Sequence, residues 1–109
     1  MKDVSHCAEQ RKNLDDAELG AQLAALSHSA RIGILRYLAQ TETSCCGEVV
    51  GQLDLAQSTV SQHLKVLVAA GLVCFEADGP RSRYAINRQV LQAVADELAC
   101  FASACCVER

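Results

Sequence analysis

The sequence has few aromatic residues, no long apolar run and no excess of positive charge. Aromatic residues are 4% of the 109 residues and tryptophan is absent, whereas half of the residues are hydrophobic. A composition rich in leucine, alanine and valine favours helices over a β-sandwich or barrel. No stretch of about 18 apolar residues is present, and the N-terminal segment contains no hydrophobic signal core. We therefore expect one cytoplasmic domain with no membrane partner.

The net charge of −3 argues, taken alone, against a nucleic-acid-binding protein. The charge is unevenly distributed, however. Residues 55–88 contain four basic side chains against Glu76 and Asp78, which gives this segment a local charge of +2. The basic residues are Lys65, Arg81, Arg83 and Arg88. The acidic residues lie mostly elsewhere, so this segment is the one to search for a nucleic-acid contact.

Cysteine is abundant where aromatic residues are scarce. Seven cysteines would indicate a disulfide framework in a secreted chain, but the number is odd and nothing directs export. In a reducing compartment, clustered cysteines more often bind metal or sense redox state. The sequence therefore indicates thiol chemistry of one of these two kinds.

Hydrophobic periodicity divides the chain into a polar N-terminal arm, residues 1–14, and a domain over residues 15–106. Apolar residues at helical spacing predict two helices between Asp15 and Leu38, a third over 45–53 and a fourth from Gln57 to Ala70. Gly71 is placed to end the fourth helix. Strands are predicted at 72–77 and 83–86, joined by a turn, and Asn87 can cap a last helix.

The third and fourth helices, separated by three residues, have the spacing of a helix-turn-helix, and the hairpin that follows adds a wing. The predicted fold is therefore mainly α with a β-hairpin wing, a winged helix-turn-helix. Val60, Leu64 and Leu67 mark the buried face of the fourth helix. Its opposite face can be a solvated surface or can read base edges, and the basic hairpin favours DNA. Ala56 stands where a capping Ser or Thr is expected. The candidate DNA-binding residues are Gln57, Ser58, Thr59, Ser61, Gln62, His63, Lys65, Arg81, Arg83 and Tyr84.

The segment STVSQHLKVLVAAGLV, followed by a basic hairpin and preceded by a short cysteine-bearing helix, resembles the ArsR/SmtB family of metal-sensing repressors. The resemblance spans about residues 15–100. It implies a homodimer that pairs through its first and last helices. It also implies repression of an operon through double-stranded operator DNA until a metal or metalloid binds.

Two adjacent thiols, Cys45 and Cys46, begin the third helix and form the first candidate ligand cluster. A helix N-terminus favours thiolate, the form that binds soft ions. Family members often hold the inducer with a Leu-Cys-Val-Cys-Asp-Leu segment on this helix. Here Cys45 matches the first cysteine of that segment, Cys46 matches the valine and Gly47 matches the second cysteine. Cys7, on the arm, is a candidate third ligand contributed by the partner subunit.

Cys100, Cys105 and Cys106 form a rival cluster on the last helix, similar to the C-terminal arsenite site of some relatives. On a continuous helix Cys105 lies on the apolar side that is predicted to be buried, and Cys100 and Cys106 lie on opposite flanks of that side. The three converge only if the helix frays after about residue 101 or if two subunits share the ion. Cys74, in a strand of the wing, is expected to be structural.

The leading hypothesis is a repressor released by trivalent arsenic or antimony, without an organic cofactor. A thiol redox or persulfide sensor of the same fold is the alternative, with Cys45 paired to Cys100 or Cys106. A thiol enzyme such as an arsenate reductase would need an oxyanion cradle beside its nucleophile, and no such loop adjoins a cysteine, so no enzyme is expected. A protein–protein adaptor is a further possibility for a winged helix.

Overall fold

The computed structural model describes residues 14–107. These residues form five helices and three strands in the order ααβααββα. The elements are α1 (Asp16–Ala25), α2 (Ser29–Leu38), β1 (Ser44–Cys45), α3 (Cys46–Gln52), α4 (Gln57–Ala69), β2 (Val73–Asp78), β3 (Arg81–Ile86) and α5 (Arg88–Cys105). The architecture is a winged helix-turn-helix, as the sequence predicts. The arm predicted at the N-terminus lies, up to residue 13, outside the described residues.

Three of the helices begin at polar side chains that accept a backbone hydrogen bond. Asp15 and Glu18 form a reciprocal capping box at α1, with Glu18 N–H donating to Asp15 Oδ1 at 2.8 Å. His28 caps α2 through Nδ1, and Asn87 caps α5 by accepting from Val90 N–H. Helix α4 has no side-chain cap, because its N-cap residue is Ala56. The first turn of α4 therefore depends on tertiary packing.

Two glycines, one after α4 and one after β2, adopt positive φ angles that would strain a residue with a side chain. Gly71, with φ +80°, follows α4, where its N–H donates to Val68 O and Leu72 N–H donates to Leu67 O. These two bonds form a Schellman motif, which confirms the predicted stop. Gly79, with φ +60°, and Pro80 are the two residues that join β2 to β3. The hairpin is tighter than the predicted five-residue turn, because both strands continue to the Asp78–Arg81 pair.

The sheet contains a strand that the sequence did not predict. Its order is β1-β3-β2, all antiparallel, with Ser44 opposite Tyr84 and Cys45 opposite Arg83. The predicted helix over 45–53 is therefore shorter, Cys46–Gln52, and Cys45 belongs to the strand that precedes it. A strand of two residues is too short to show alternation in sequence, and it forms here because β3 offers a free edge.

The core lies between the helix-turn-helix and the sheet. Its fully buried apolar side chains come from three helices, α2, α3 and α4, and from the connection between α4 and β2, so no pair of helices would bury them alone. They are Ile34, Leu38, Val49, Val60, Leu64, Leu67 and Leu72. This packing fixes α3, α4 and the wing relative to one another.

Candidate functional site

Helix α4 presents one buried and one exposed face, as its pattern predicts. Val60, Leu64 and Leu67 have no exposed surface. The candidate DNA-binding side chains fall into two groups. Gln57, Ser58, Gln62, Lys65 and Arg81 are exposed, whereas Thr59, Ser61, His63, Arg83 and Tyr84 are half-buried. The exposed group supplies amides, a hydroxyl and two cations, which are the groups that contact base edges and phosphates.

His63 is held against α2 from the inner side of α4. Arg31 Nε donates to His63 Nδ1 at 3.2 Å, and the His28 ring lies 4.5 Å from the His63 ring between centroids. Burial, followed by the charges of His28 and Arg31, lowers the pKa of His63. His63 Nδ1 must be unprotonated to accept this bond, so the contact requires neutral histidine.

The two arginines of the wing occupy different environments. Arg81 is exposed at the turn, and its side chain makes no hydrogen bond to another group within residues 14–107. Arg83 donates from Nε to Asp78 Oδ2 at 2.7 Å and from Nη1 to Thr43 Oγ1 at 2.8 Å. The hydrogen bond and charge of Arg83 lower the pKa of Asp78. Arg81 is thus available to a ligand, while Arg83 is engaged within the chain.

Cys45 and Cys46 lie where α3 leaves the sheet, and both are half-buried. Cys45 N–H donates to Glu48 Oε1 at 3.0 Å, which satisfies one amide at the start of α3. Burial, and then the neighbouring Cys45, raise the pKa of Cys46. Burial of Cys46 therefore opposes the preference for thiolate that the start of a helix was expected to give.

Gly47 leaves space beside the thiol pair. A Cβ at this position would lie 3.9 Å from Cys45 Sγ, in ordinary van der Waals contact. The position that the resemblance matches to the second cysteine is therefore adjacent to Cys45, but here it is a glycine without a side chain. Between residues 14 and 107, no group of three or more His, Cys, Asp or Glu side chains is placed to hold a metal ion.

The three C-terminal cysteines are exposed and lie at the end of α5. The helix continues through Cys105, with Cys106 as its C-cap, so the fraying that would bring the three thiols together is not observed. Cys74 is buried in β2 and is not among the free thiols. Cys7 lies outside the described residues. Among the free cysteines of residues 14–107, Cys45 and Cys46 form the half-buried pair, whereas Cys100, Cys105 and Cys106 are exposed.

The residues predicted from the sequence do not include Thr43, Glu48 and Arg31, which the structure places in these sites. The Glu48 contact follows a recognisable spacing, since glutamate three residues after an N-cap residue is the capping-box pattern. Thr43 and Arg31 form hydrogen bonds with residues that are 40 and 32 positions away in the sequence, respectively, so no local pattern indicates them. Within residues 14–107 no helix is long and apolar enough to span a membrane.

A family model for bacterial regulatory proteins, arsR family, matches residues 28–74. The HTH-type transcriptional repressor SmtB of Mycobacterium tuberculosis is 41% identical over 86 residues, which are 79% of this chain and 56% of the relative. The arsenical resistance operon repressor of Staphylococcus aureus is 33% identical over 81 residues, 74% of this chain and 77% of the relative. The chain thus spans little more than half the length of the first of these relatives.

Solved structures share the fold. An ArsR family transcriptional regulator superposes with a TM-score of 0.76 at 19% identity, over 90% of this chain and all of that one. The homodimeric winged helix-turn-helix DNA-binding domain of a possible ArsR-family regulator from Mycobacterium bovis gives a TM-score of 0.66 at 22% identity. That match covers 85% of this chain and 92% of the other. These relatives are named as regulators, and none of the four is named as an enzyme.

Proposed function

Because the chain belongs to the arsR family of bacterial regulatory proteins, we propose that it is a transcriptional repressor that leaves its operator when a thiol-binding ligand arrives. The observation that carries this proposal is the position of the thiol pair. Cys45 is paired to the wing through β3, and Cys46 begins the first helix of the helix-turn-helix. A ligand at these thiols would therefore touch both parts of the DNA-reading unit. Such a repressor acts on DNA in the cytoplasm.

The proposed DNA contact is made by the exposed face of α4 and the tip of the wing. Ser58 and Gln62 would approach base edges, whereas Lys65 and Arg81 would neutralise phosphates. Thr59 and Ser61 flank this face. A net charge of −3 does not oppose the contact, because association responds to the local field of the surface that docks.

The proposed inducer is trivalent arsenic or antimony. Both are soft ions that select thiolates, and two adjacent cysteines provide two ligands at one place. A trigonal ion needs a third ligand, for which Cys7 of the partner subunit is the candidate. The rival site is the exposed group of Cys100, Cys105 and Cys106, shared between two subunits.

A labelled fragment of the gene's own upstream region, followed by fluorescence anisotropy under reducing conditions, tests both parts of the proposal. Wild-type protein should bind at low salt, and arsenite should raise the dissociation constant by about 5- to 150-fold, the range of ordinary allosteric coupling. The double variant Cys45→Ser/Cys46→Ser should bind DNA but lose this response. If a variant truncated after Ala99 loses the response and the double variant keeps it, the inducer binds at the C-terminus. Release by peroxide or persulfide, but not by arsenite, would support a redox sensor.

Restoring the missing thiol provides the complementary test. Gly47→Cys places a third sulfur beside Cys45 and should tighten arsenite binding by at least about tenfold, since a preplaced ligand acts at high effective concentration. Gly51→Cys is the matched control. It lies on the same helix, it is exposed, and no atom lies within 4 Å of its added Cβ. Equal affinities in the two variants, measured by titration calorimetry, would argue against a site at α3.

A further inference from the structure

We infer that Arg83 is a positioning residue that links the thiol-bearing strand to the turn of the wing, and that Arg81 is the wing cation that contacts DNA. The inference builds on the proposed DNA-binding role, but it does not depend on which ligand binds the thiols. It revises the assignment that the sequence favours, in which both arginines contact phosphate.

The guanidinium of Arg83 connects two separate segments. One end donates to Asp78, the last residue of β2 before the turn, and the other donates to Thr43, directly before β1. Arg83 also lies opposite Cys45 in the β1–β3 pair, and cross-strand partners share one face of a sheet. The side chain therefore spans the sheet from the thiol-bearing edge to the turn of the wing.

The same guanidinium is electrostatically coupled to the thiol site. Asp78 first, and then the charges of Glu48 and Cys45, raise the pKa of Arg83. Because the Arg83–Asp78 pair is about half exposed, with side-chain exposures of 40% and 53%, it is weak enough to rearrange without unfolding the domain.

Arg81 provides the contrast that makes the inference testable. It has the same charge, lies two residues away on the same strand and is exposed beside the turn. If Arg83 is held within the chain, then of the two wing arginines only Arg81 should displace counterions from DNA. Removal of Arg81 should reduce the slope of log affinity against log salt by about 0.9, the value for one phosphate contact.

The first experiment compares Arg81→Gln and Arg83→Gln by salt-dependent anisotropy on one duplex. We expect the smaller slope in Arg81→Gln and an unchanged slope in Arg83→Gln. Arg83→Lys, which keeps the charge but loses the forked donor, should behave as Arg83→Gln does. An equal loss of slope in both glutamine variants would overturn the inference and restore the phosphate-contact assignment.

The second experiment needs no DNA, so it decides the inference even if the proposed function fails. Thr43→Val removes the oxygen that accepts from Arg83 and keeps the shape of the side chain. Hydrogen exchange of the amides in residues 76–84 should accelerate by about threefold or more in Thr43→Val, because the wing loses its tie to β1. The same substitution should have no further effect in an Arg83→Gln background. Additive effects in this double-mutant cycle would mean that Arg83 does not carry the link.

Discussion

His63 illustrates how one side chain in the second helix of the helix-turn-helix can face inward. Its Nδ1 accepts from Arg31, its ring packs on His28, and it is half-buried. Replacement by leucine would leave the Arg31 Nε donor without its acceptor, whereas glutamine can still accept there. We therefore assign His63 to the support of α4 against α2.

This arrangement predicts a pH dependence of stability. Burial, and then the charges of His28 and Arg31, lower the pKa of His63, so the folded state binds its proton less readily than the unfolded chain does. His63 therefore contributes stability above the unfolded pKa of about 6.5, and this contribution is lost as pH falls through the folded pKa. The free energy of unfolding, measured in urea between pH 7.5 and 5, should fall more steeply in wild type than in His63→Gln.

His28 provides the control for that measurement. It faces the same cluster from the start of α2 and caps that helix through Nδ1. His28→Asn keeps a capping side chain but removes one of the charges that lower the pKa of His63, so the slope should become shallower than in wild type. A slope unchanged by either substitution would assign the pH dependence to other groups.

At the scale of elements, the end of α4 and the turn of the wing are fixed by backbone conformation. The Schellman motif at Gly71 directs the chain from α4 into β2. No atom lies within 4 Å of a Cβ added at this glycine, so the cost of a side chain there is conformational and not steric crowding.

We predict that Gly71→Ala lowers the free energy of unfolding by about 1 kcal/mol, since alanine is disfavoured at positive φ. Gly20→Ala is the matched control, because Gly20 lies within α1 and an added Cβ has no neighbour within 4 Å. It should raise the free energy of unfolding by about 0.5–1 kcal/mol, through helix propensity. Urea denaturation measures both changes, and a loss of stability in both variants would contradict this account.

At the scale of the whole molecule, α5 extends beyond the core and carries exposed apolar side chains. The described residues measure 56 × 30 × 22 Å, and α5 contains 18 residues. Leu98 is 40% exposed and Phe101 57% exposed, and both lie on the same side of α5 as the buried Val94. We propose that a second copy of the chain covers this surface.

Phe101→Glu should then shift the protein from dimer to monomer in sedimentation velocity, because a charge cannot be buried in an apolar interface without a partner. It should also weaken operator binding, since one subunit reaches only one half-site. Ser103→Glu introduces the same charge on the opposite side of α5 and should leave the dimer intact. A monomeric wild-type protein at micromolar concentration would exclude this interface.

Local patterns in the sequence determined the helices, the wing and which face of α4 is buried. Leucine and valine at helical spacing identified the buried side of α4, and Gly71 and Asn87 identified where helices end and begin. These features could be predicted because each depends on residues within a few positions of one another. The vicinal thiols were visible for the same reason.

The tertiary structure alone decided which polar groups meet. The pairing of Cys45 with Arg83, the bond from Arg83 to Thr43 and the contact between Arg31 and His63 each join residues more than 30 positions apart. It also decided that Cys46 is harder to ionise, because burial depends on what packs above it and not on its place in a helix. The sequence therefore determined the winged helix-turn-helix, whereas packing determined how the thiol pair is connected to it.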